Sequence, residues 1–375
     1  MYKGFKIRLY PTKEQEQKIW QHIGACRFVW NYLLNYQEDL YKIGSENHLY
    51  QFDMIKMIPS IKRKYSWLND VSCASLQIVC GNLCIAYKKY FAKLTNKPKF
   101  KSKKKSKQTF PVCNAVGKLY FKNDTVHIQK VGDIKYNAKH QIPQSKDTKF
   151  ICAYISYINK KWILTMSIEC ESQTRELNGK MGIDLGIKEL AVVSYNDKQI
   201  VFNNINKSKR VRTLKSKLKH LQRKVARKYN TNGNYNKSKA IEKTESQIKE
   251  IYYHLSNIRN NYIHKCTHKL IEMFPSRVVM EDLNVLAMLK NKHLSDLVAE
   301  QHLYEFIRQM KYKCKWNGIE FIQANRYFSS SKTCSKCGNI KRNLKLSDRT
   351  YHCSKCGLII DRDYNAAINL MNYGT

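Results

Sequence analysis

Four cysteines near the end of the chain constrain its fold more than any other feature. Cys334-x-x-Cys337 and Cys353-x-x-Cys356 form two pairs fifteen residues apart, each followed by a glycine, Gly338 and Gly357. This spacing is the pattern of a closed, tetrahedral four-cysteine zinc site, in which each glycine lets the backbone wrap the ion in a tight knuckle. A closed site has no open position for substrate, so it predicts a structural zinc ribbon and no chemistry of its own. The cysteine total is 13, and the opening residues MYKGFKIRLYPT contain no apolar signal core. An odd cysteine count without such a core argues against a disulfide framework. Cys73, Cys80 and Cys84 fall at helical spacing and read as small buried hydrophobes.

The charge balance narrows the partner. Lys and Arg total 68 against 29 Asp and Glu, a formal charge of +39 over 375 residues. Hydrophobic residues make up 43%, enough for folded cores, and the length allows two or more domains. No segment approaches the roughly 18 uninterrupted apolar residues of a membrane helix. These features predict a soluble, cytoplasmic chain that binds nucleic acid rather than a membrane.

Period and punctuation divide the chain. Phe5, Ile7 and Leu9 alternate with charges and predict a strand, after which Pro11-Thr12 opens a helical region over 13–95. A basic break follows, with Lys99, Lys101, Lys103, Lys104 and Lys105 around Phe100, and it is a candidate phosphate contact. Residues 110–172 turn to period-two patterning and predict a small β-barrel, which the opening strand joins. From 179 onward strands and helices alternate, as in an α/β domain. Within it, residues 207–228 hold eleven basic and no acidic residues, yet Val211, Leu214, Leu218, Leu221 and Val225 keep a helical stripe. The result is an amphipathic helix whose outer face carries Lys215, Lys219, Arg223 and Arg227, further candidates for nucleic-acid contact. A second long helix runs to about 273, a buried-type strand spans 277–281, a helix covers about 297–316, and GIEFIQAN is a last strand.

Three acids stand out against this basic background. Asp184 in GIDLGIKELAVV, Glu281 in RVVMEDLNV and Asp363 in DRDYNAAINL each close or follow a compact apolar run. A carboxylate in such a place is costly unless paired or bound to metal. Two-metal phosphodiester hydrolysis needs oxygen ligands that bridge and flank ions about 4 Å apart, and magnesium prefers carboxylates and retained waters. RNase H-like folds draw such a set from a first strand, a later strand end and a C-terminal helix, the contexts of these three residues. Gly182 and Gly186 leave room beside Asp184. Asp282 is expected on the opposite face from Glu281, Asp361 as a cap before the last helix, and Asn365 as a holder of the strand-to-helix turn.

Taken as a set, YPTKEQEQKI, GACRFVWN, KPKFKSKKKSKQTF, GIDLGIKELAVVS, VVMEDLNVLAMLKN, SSSKTCSKCG and LSDRTYHCSKCGLIIDRDYNAAINL resemble TnpB, the transposon-encoded relatives of type V CRISPR effectors, over nearly the whole chain. The resemblance implies an RNA-guided DNA endonuclease of an insertion sequence. One copy of the protein would bind a transposon-end guide RNA, recognise a short transposon-adjacent motif and cut matching double-stranded DNA at one RuvC site. It implies a RuvC-like (RNase H fold) nuclease domain at 179–328 and 357–375, holding two Mg2+ ions on the catalytic residues Asp184, Glu281 and Asp363. A zinc-ribbon target nucleic-acid-binding insertion at 329–356 would hold Zn2+ on Cys334, Cys337, Cys353 and Cys356. A wedge β-barrel would occupy 1–10 and 96–172, a helical recognition domain 11–95, and a linker 173–178. Ser75 and Gln77 are then candidate DNA contacts. The chain would act at the nucleoid of a prokaryotic cytoplasm. The stretch PVCNAVGKLYF departs from the family pattern, so the adjacent motif is not legible. A nuclease-inactive repressor would have lost acids that this chain retains, and a transposase would need a nucleophilic Tyr beside a His pair. A small type V CRISPR effector remains close in pattern. The 25 tyrosines fit base stacking and AT-rich coding equally.

Overall fold

Alternation makes the first element a strand, β1 (Tyr2–Tyr10), with Ile7 and Leu9 buried. Thr12 then starts α1 (Lys13–Lys42) with a capping box: its hydroxyl accepts from the Gln15 amide while the Gln15 side chain accepts from the Thr12 amide. The computed structural model describes residues 2–44, 49–113, 117–137, 150–169, 175–196, 198–231, 237–345 and 347–374. The chain divides into two compact units, 1–171 and 172–375. Part of the expected linker, residues 173 and 174, lies outside the described residues.

In the first unit, α2 (Gln51–Lys64) and α3 (Cys73–Phe91) complete the expected helical region. Six strands follow: β2 (Thr109–Pro111), β3 (Leu119–Lys122), β4 (Thr125–Ile128), β5 (Gly132–Asn137), β6 (Phe150–Ile158) and β7 (Lys161–Glu169). With β1 they form an antiparallel seven-stranded sheet ordered β2-β6-β7-β1-β5-β4-β3, so the opening strand does join it, near the centre. Among the described residues no ladder joins its edge strands β2 and β3. One hydrophobic core runs through helices and sheet, from Leu33, Leu34 and Leu76 to Ile134, Ile155 and Leu164. The Trp162 indole donates to Glu16 at 2.6 Å and the Gln15 amide to the Asp133 carbonyl at 2.8 Å, fixing α1 against the sheet. Of the three helix cysteines, Cys80 is buried and Cys84 half-buried, but Cys73 is exposed at the first turn of α3.

The second unit is built on a five-stranded sheet. Its strands are β8 (Lys180–Leu185), β9 (Glu189–Tyr195), β10 (Lys198–Asn203), β11 (Arg277–Glu281) and β12 (Glu320–Ala324), ordered β10-β9-β8-β11-β12. The first three pair antiparallel; β11 runs parallel to both β8 and β12. Between β10 and β11 lie α4 (Lys209–Thr231) and α5 (Lys239–Ile271), packed through Val211, Leu221, Ile251 and Leu255. After β11 come α6 (Val285–Lys290), α7 (Ser295–Gln301) and α8 (Leu303–Trp316). The single helix expected at 297–316 is thus two, broken at His302, whose φ of 54° lies in the left-handed region. A two-stranded ribbon, β13 (Thr350–His352) and β14 (Ile359–Asp361), leads into α9 (Arg362–Met371).

Strand alternation decides what each face of this sheet meets. Met181, Ile183, Val278 and Met280 bury against Leu270 of α5 and Phe306 and Met310 of α8. Val279 and Ala324 bury against Leu370 of α9. Because side chains alternate, Asp184 and Glu281 share the face that carries Gly182 and Val279.

Candidate active site and zinc centre

The β8–β11 register pairs Val279 with Gly182 and Met280 with Ile183. One step further brings Glu281 level with Asp184, at the C-terminal ends of adjacent parallel strands. Helix α9 crosses this face so closely that a Cβ on Gly182 would collide with the Ala367 carbonyl oxygen and the Met371 backbone. The room left by Gly182 is therefore filled by the helix, whose first turn carries Asp363. Asp361 caps that turn, accepting from the amides of Asp363 and Tyr364 at 3.0 Å each. Asp282, as expected, faces away: it pairs with Arg326 at 2.6 Å.

Electrostatics join the three acids. The Asp184 carboxyl is held well above the usual carboxylate range, first by burial and then by the charges of Glu281 and Asp363, with Arg362 opposing. Its side chain keeps some surface exposure, but protein surrounds it closely enough to deny the charge its hydration. The other two acids are held by protein partners. The Ser330 hydroxyl donates to Glu281, and Arg362 reaches Asp363 through Nη2 at 2.9 Å and Nε at 3.1 Å. Arg349 lies 3.9 Å from the other Asp363 oxygen. Among the described residues, the group of potential ligand atoms gathered within 4.8 Å of one another is the four cysteines, and the three carboxylates are not drawn that close. The donor set is nonetheless oxygen-only and short of neutralising charge, which fits a hard divalent cation.

The cysteine site is fully assembled. Cys334 and Cys356 sulfurs lie 3.6 Å apart, as do those of Cys337 and Cys353. A tetrahedron of Zn–S bonds of about 2.3 Å has edges of about 3.8 Å, so the four residues fit zinc. Gly338 and Gly357 adopt φ of 71° and 70° and donate to the carbonyls of Cys334 and Cys353, closing both knuckles. Backbone N–H groups of Cys356 and Lys355 lower the Cys353 thiol, while burial and the neighbouring sulfurs raise that of Cys337, as four thiols crowded together require. Tyr351, fully buried, sets its hydroxyl within reach of the Lys332 and Asn339 carbonyls and braces the ribbon.

Asn365 does more than hold a turn. Its amide donates to the Thr333 carbonyl at 2.7 Å and its oxygen accepts from the Ser335 amide at 3.0 Å, tying α9 to the first knuckle. Asn369, one turn on, donates to the carbonyls of Ser330 and Thr333, both at 2.7 Å. The four-cysteine ribbon, the Ser330–Glu281 contact and the helix bearing Asp363 are thus one hydrogen-bonded assembly. Ser330, Arg362 and Asn369 went unread in the sequence. The legible signal was two asparagines four apart on an otherwise apolar helix face.

The nucleic-acid candidates separate. Gln77, Lys99, Lys103, Lys104, Lys105, Lys219, Arg223 and Arg227 are exposed. Ser75 is not: at 1% exposure, with its hydroxyl unpartnered, it faces the core from α3 and is corrected to a buried position. Lys101 packs its ammonium 3.5 Å from the centre of the Trp30 ring, while its backbone is fixed by Asn31. It lines a cavity of about 320 Å3 with Arg27, Asn82, Lys107 and Tyr154, so it is a wall residue rather than a free surface charge. Lys215 is neutralised by Glu300 at 2.6 Å.

Comparison with known proteins places this geometry. Family models match residues 1–46 ("Helix-turn-helix domain"), 164–292 ("Probable transposase") and 304–370 ("Cas12f1-like, TNB domain"). A Streptomyces pristinaespiralis protein, provisionally named an RNA-guided DNA endonuclease, is 27% identical over 99% of this chain and 89% of its own. TnpB-like protein L770 of Acanthamoeba polyphaga mimivirus is 24% identical over 98% of this chain and 72% of its own. Over nearly its whole length the chain is similar to RNA-guided DNA endonuclease and TnpB-like relatives. Its fold is shared with a solved Cas12f1 bound to single-guide RNA and target DNA, at a TM-score of 0.66 and 13% identity over 100% of this chain and 99% of that one. In this chain the stretch matched as a helix-turn-helix is one strand and one long helix. No described helix is long and apolar enough to cross a membrane.

Proposed function

We propose that the chain is an RNA-guided DNA endonuclease. It would bind a transposon-end guide RNA, one protein copy per RNA, and cut matching double-stranded DNA next to a short adjacent motif. The observation that carries this is the meeting of Asp184, Glu281 and Asp363 at one sheet end, with the acids close enough to raise the Asp184 titration. The sheet order, three antiparallel strands followed by two parallel ones, supports a RuvC-like reading of residues 179–328 and 357–375. The family models and the names of the relatives support the activity. Asp184, Glu281 and Asp363 would hold Mg2+, which when bound would activate water and neutralise charge developing on the scissile phosphate.

The chain's own residues would then do the remaining work. Ser330 would orient Glu281, and Arg362 and Arg349 would balance the charge of Asp363. The four-cysteine ribbon at 329–356 would act as the target nucleic-acid-binding insertion, holding zinc while presenting exposed Lys332, Lys336, Arg342 and Lys355. The seven-stranded sheet would be the wedge, and α1 to α3 the recognition helices. In a guided system base pairing reads sequence, so dispersed phosphate contacts suffice for the protein.

The test is direct. The protein is purified with its RNA, the RNA is sequenced, and the complex is given matched duplexes randomised beside the target. Mg2+-dependent breaks that vanish in Asp184→Ala are expected. Breaks undiminished in that variant would refute the assignment.

A further inference from the structure

A second built site lies in the first unit. Between α1, α3 and the start of α2 is a pocket of about 190 Å3, walled by Tyr41, Tyr50, Cys84, Tyr87 and Phe91. It is smaller than the roughly 300–1,000 Å3 of pockets for drug-sized ligands, and so suited to one flat ring system. Tyr87 and Phe91 stand nearly parallel, with ring centres 6.1 Å apart, and Tyr41 lies 6.3 Å from Tyr87. The rim is unusually apolar for a surface: Tyr50 is 69% and Phe91 58% exposed.

The inner wall is polar and unsatisfied. Gln37 is 2% exposed; its side-chain oxygen accepts from the Leu49 amide at 3.0 Å, which fixes the flip and leaves Nε2 without a partner. The Tyr87 hydroxyl, also buried, has none either. Burial, with Glu38 and Tyr41 nearby, pushes that hydroxyl up to about 12, so it keeps its proton and can donate. Buried groups left unpaired are rare in native proteins and call for an explanation. Lys88, exposed, stands at the mouth.

We infer that this pocket receives an unstacked nucleobase from a bound strand, its ring against the aromatic wall and a carbonyl edge toward Gln37 Nε2 and the Tyr87 hydroxyl. A nucleobase supplies all that the walls ask for: a planar face to stack, acceptors for two donors, and a phosphate within reach of Lys88. An apolar protein side chain would fill the volume but leave both donors as unpaired as they are in the free protein, and so would gain nothing from them. The inference rests on the nucleic-acid-binding function proposed above and adds a base-holding site to it.

Two cross-linking arms identify the strand. The full-length protein is assembled with guide RNA containing 4-thiouridine, or with target DNA containing 4-thiothymidine, irradiated, digested and analysed by mass spectrometry. An adduct on Tyr41, Tyr50, Tyr87 or Phe91 is expected in one arm, and that arm names the source. Tyr87→Phe keeps the ring and removes only the hydroxyl. It should weaken binding of that strand about two- to tenfold while leaving the free protein as stable or more so, because an unpaired group is gone. Adducts elsewhere on the chain but none at these four residues overturn the inference alone. Absence of adducts anywhere overturns both it and the nucleic-acid reading. Unchanged strand affinity in Tyr87→Phe also overturns it.

Discussion

Gly182→Ala is the sharpest probe of how the candidate active site is assembled. The added Cβ would press on the Ala367 carbonyl oxygen and the Met371 amide nitrogen, and would lie 2.9 Å from the Met371 Cα. All three are backbone atoms of α9, so no side chain can rotate away. Ordinary contact starts near 3.4 Å, so the loosest of the three demands a shift of about 0.5 Å and the other two demand more. The strand is fixed by ladders on both sides, to β9 and β11, so the helix must move. Asp363 moves with it, away from Asp184 and Glu281. Misplacement of about 1 Å at a reacting centre costs on the order of a hundredfold in rate. Overpacking should also lower stability by about 1–3 kcal/mol. The assay is Mg2+-dependent cleavage of a matched duplex, alongside RNA affinity and thermal melting. Cleavage should fall about ten- to hundredfold with RNA binding retained. Gly24→Ala, where the new atom meets nothing within 4 Å, is the control and should cut normally. A Gly182→Ala protein that melts and cuts like its parent would refute the idea that helix–strand contact positions the third acid.

Cys353→Ser should lose zinc and, through Asn365 and Asn369, cleavage as well; metal analysis showing no zinc in the active parent would contradict this. Lys219→Glu with Arg223→Glu should weaken RNA binding and reduce the slope of log affinity against log salt by about one to two, and an unchanged slope would argue against contact there. Burial pulls the Lys101 ammonium from 10.5 down to about 8. Between those values the unfolded chain binds more protons than the folded one, so this group's contribution makes stability rise with pH across the window and is least favourable below it. Lys101→Met should flatten that rise in denaturant midpoints taken at the two ends; identical pH dependence in both proteins would contradict it.

Much of the site was readable because local chemistry dictates it. Two CxxC pairs with glycines at the turns leave few alternatives to a closed zinc knuckle. Apolar runs ending in an acid mark the strand ends at Asp184 and Glu281, and the stripe from Val211 to Leu221 identifies α4 despite its charge. Where reading failed, the deciding contact came from far along the chain. Lys215 looked like one more phosphate ligand until Glu300 met it across 85 positions. Ser75 sits on a helix face whose burial depends on which neighbours pack there. His302 breaks a helix that the apolar pattern carries straight through.

The residue types that would do the chemistry could be named from the chain alone, because ligand chemistry and hydrophobic period are local properties. That α9 lies against Gly182, and that Asn365 and Asn369 tie this helix to the four-cysteine ribbon, emerged from the folded molecule. A close backbone approach and a buried amide's partners are set by packing between segments remote in sequence, so no local pattern encodes them. A missing side chain on β8 admits the helix that carries Asp363 toward the sheet end where Asp184 and Glu281 lie.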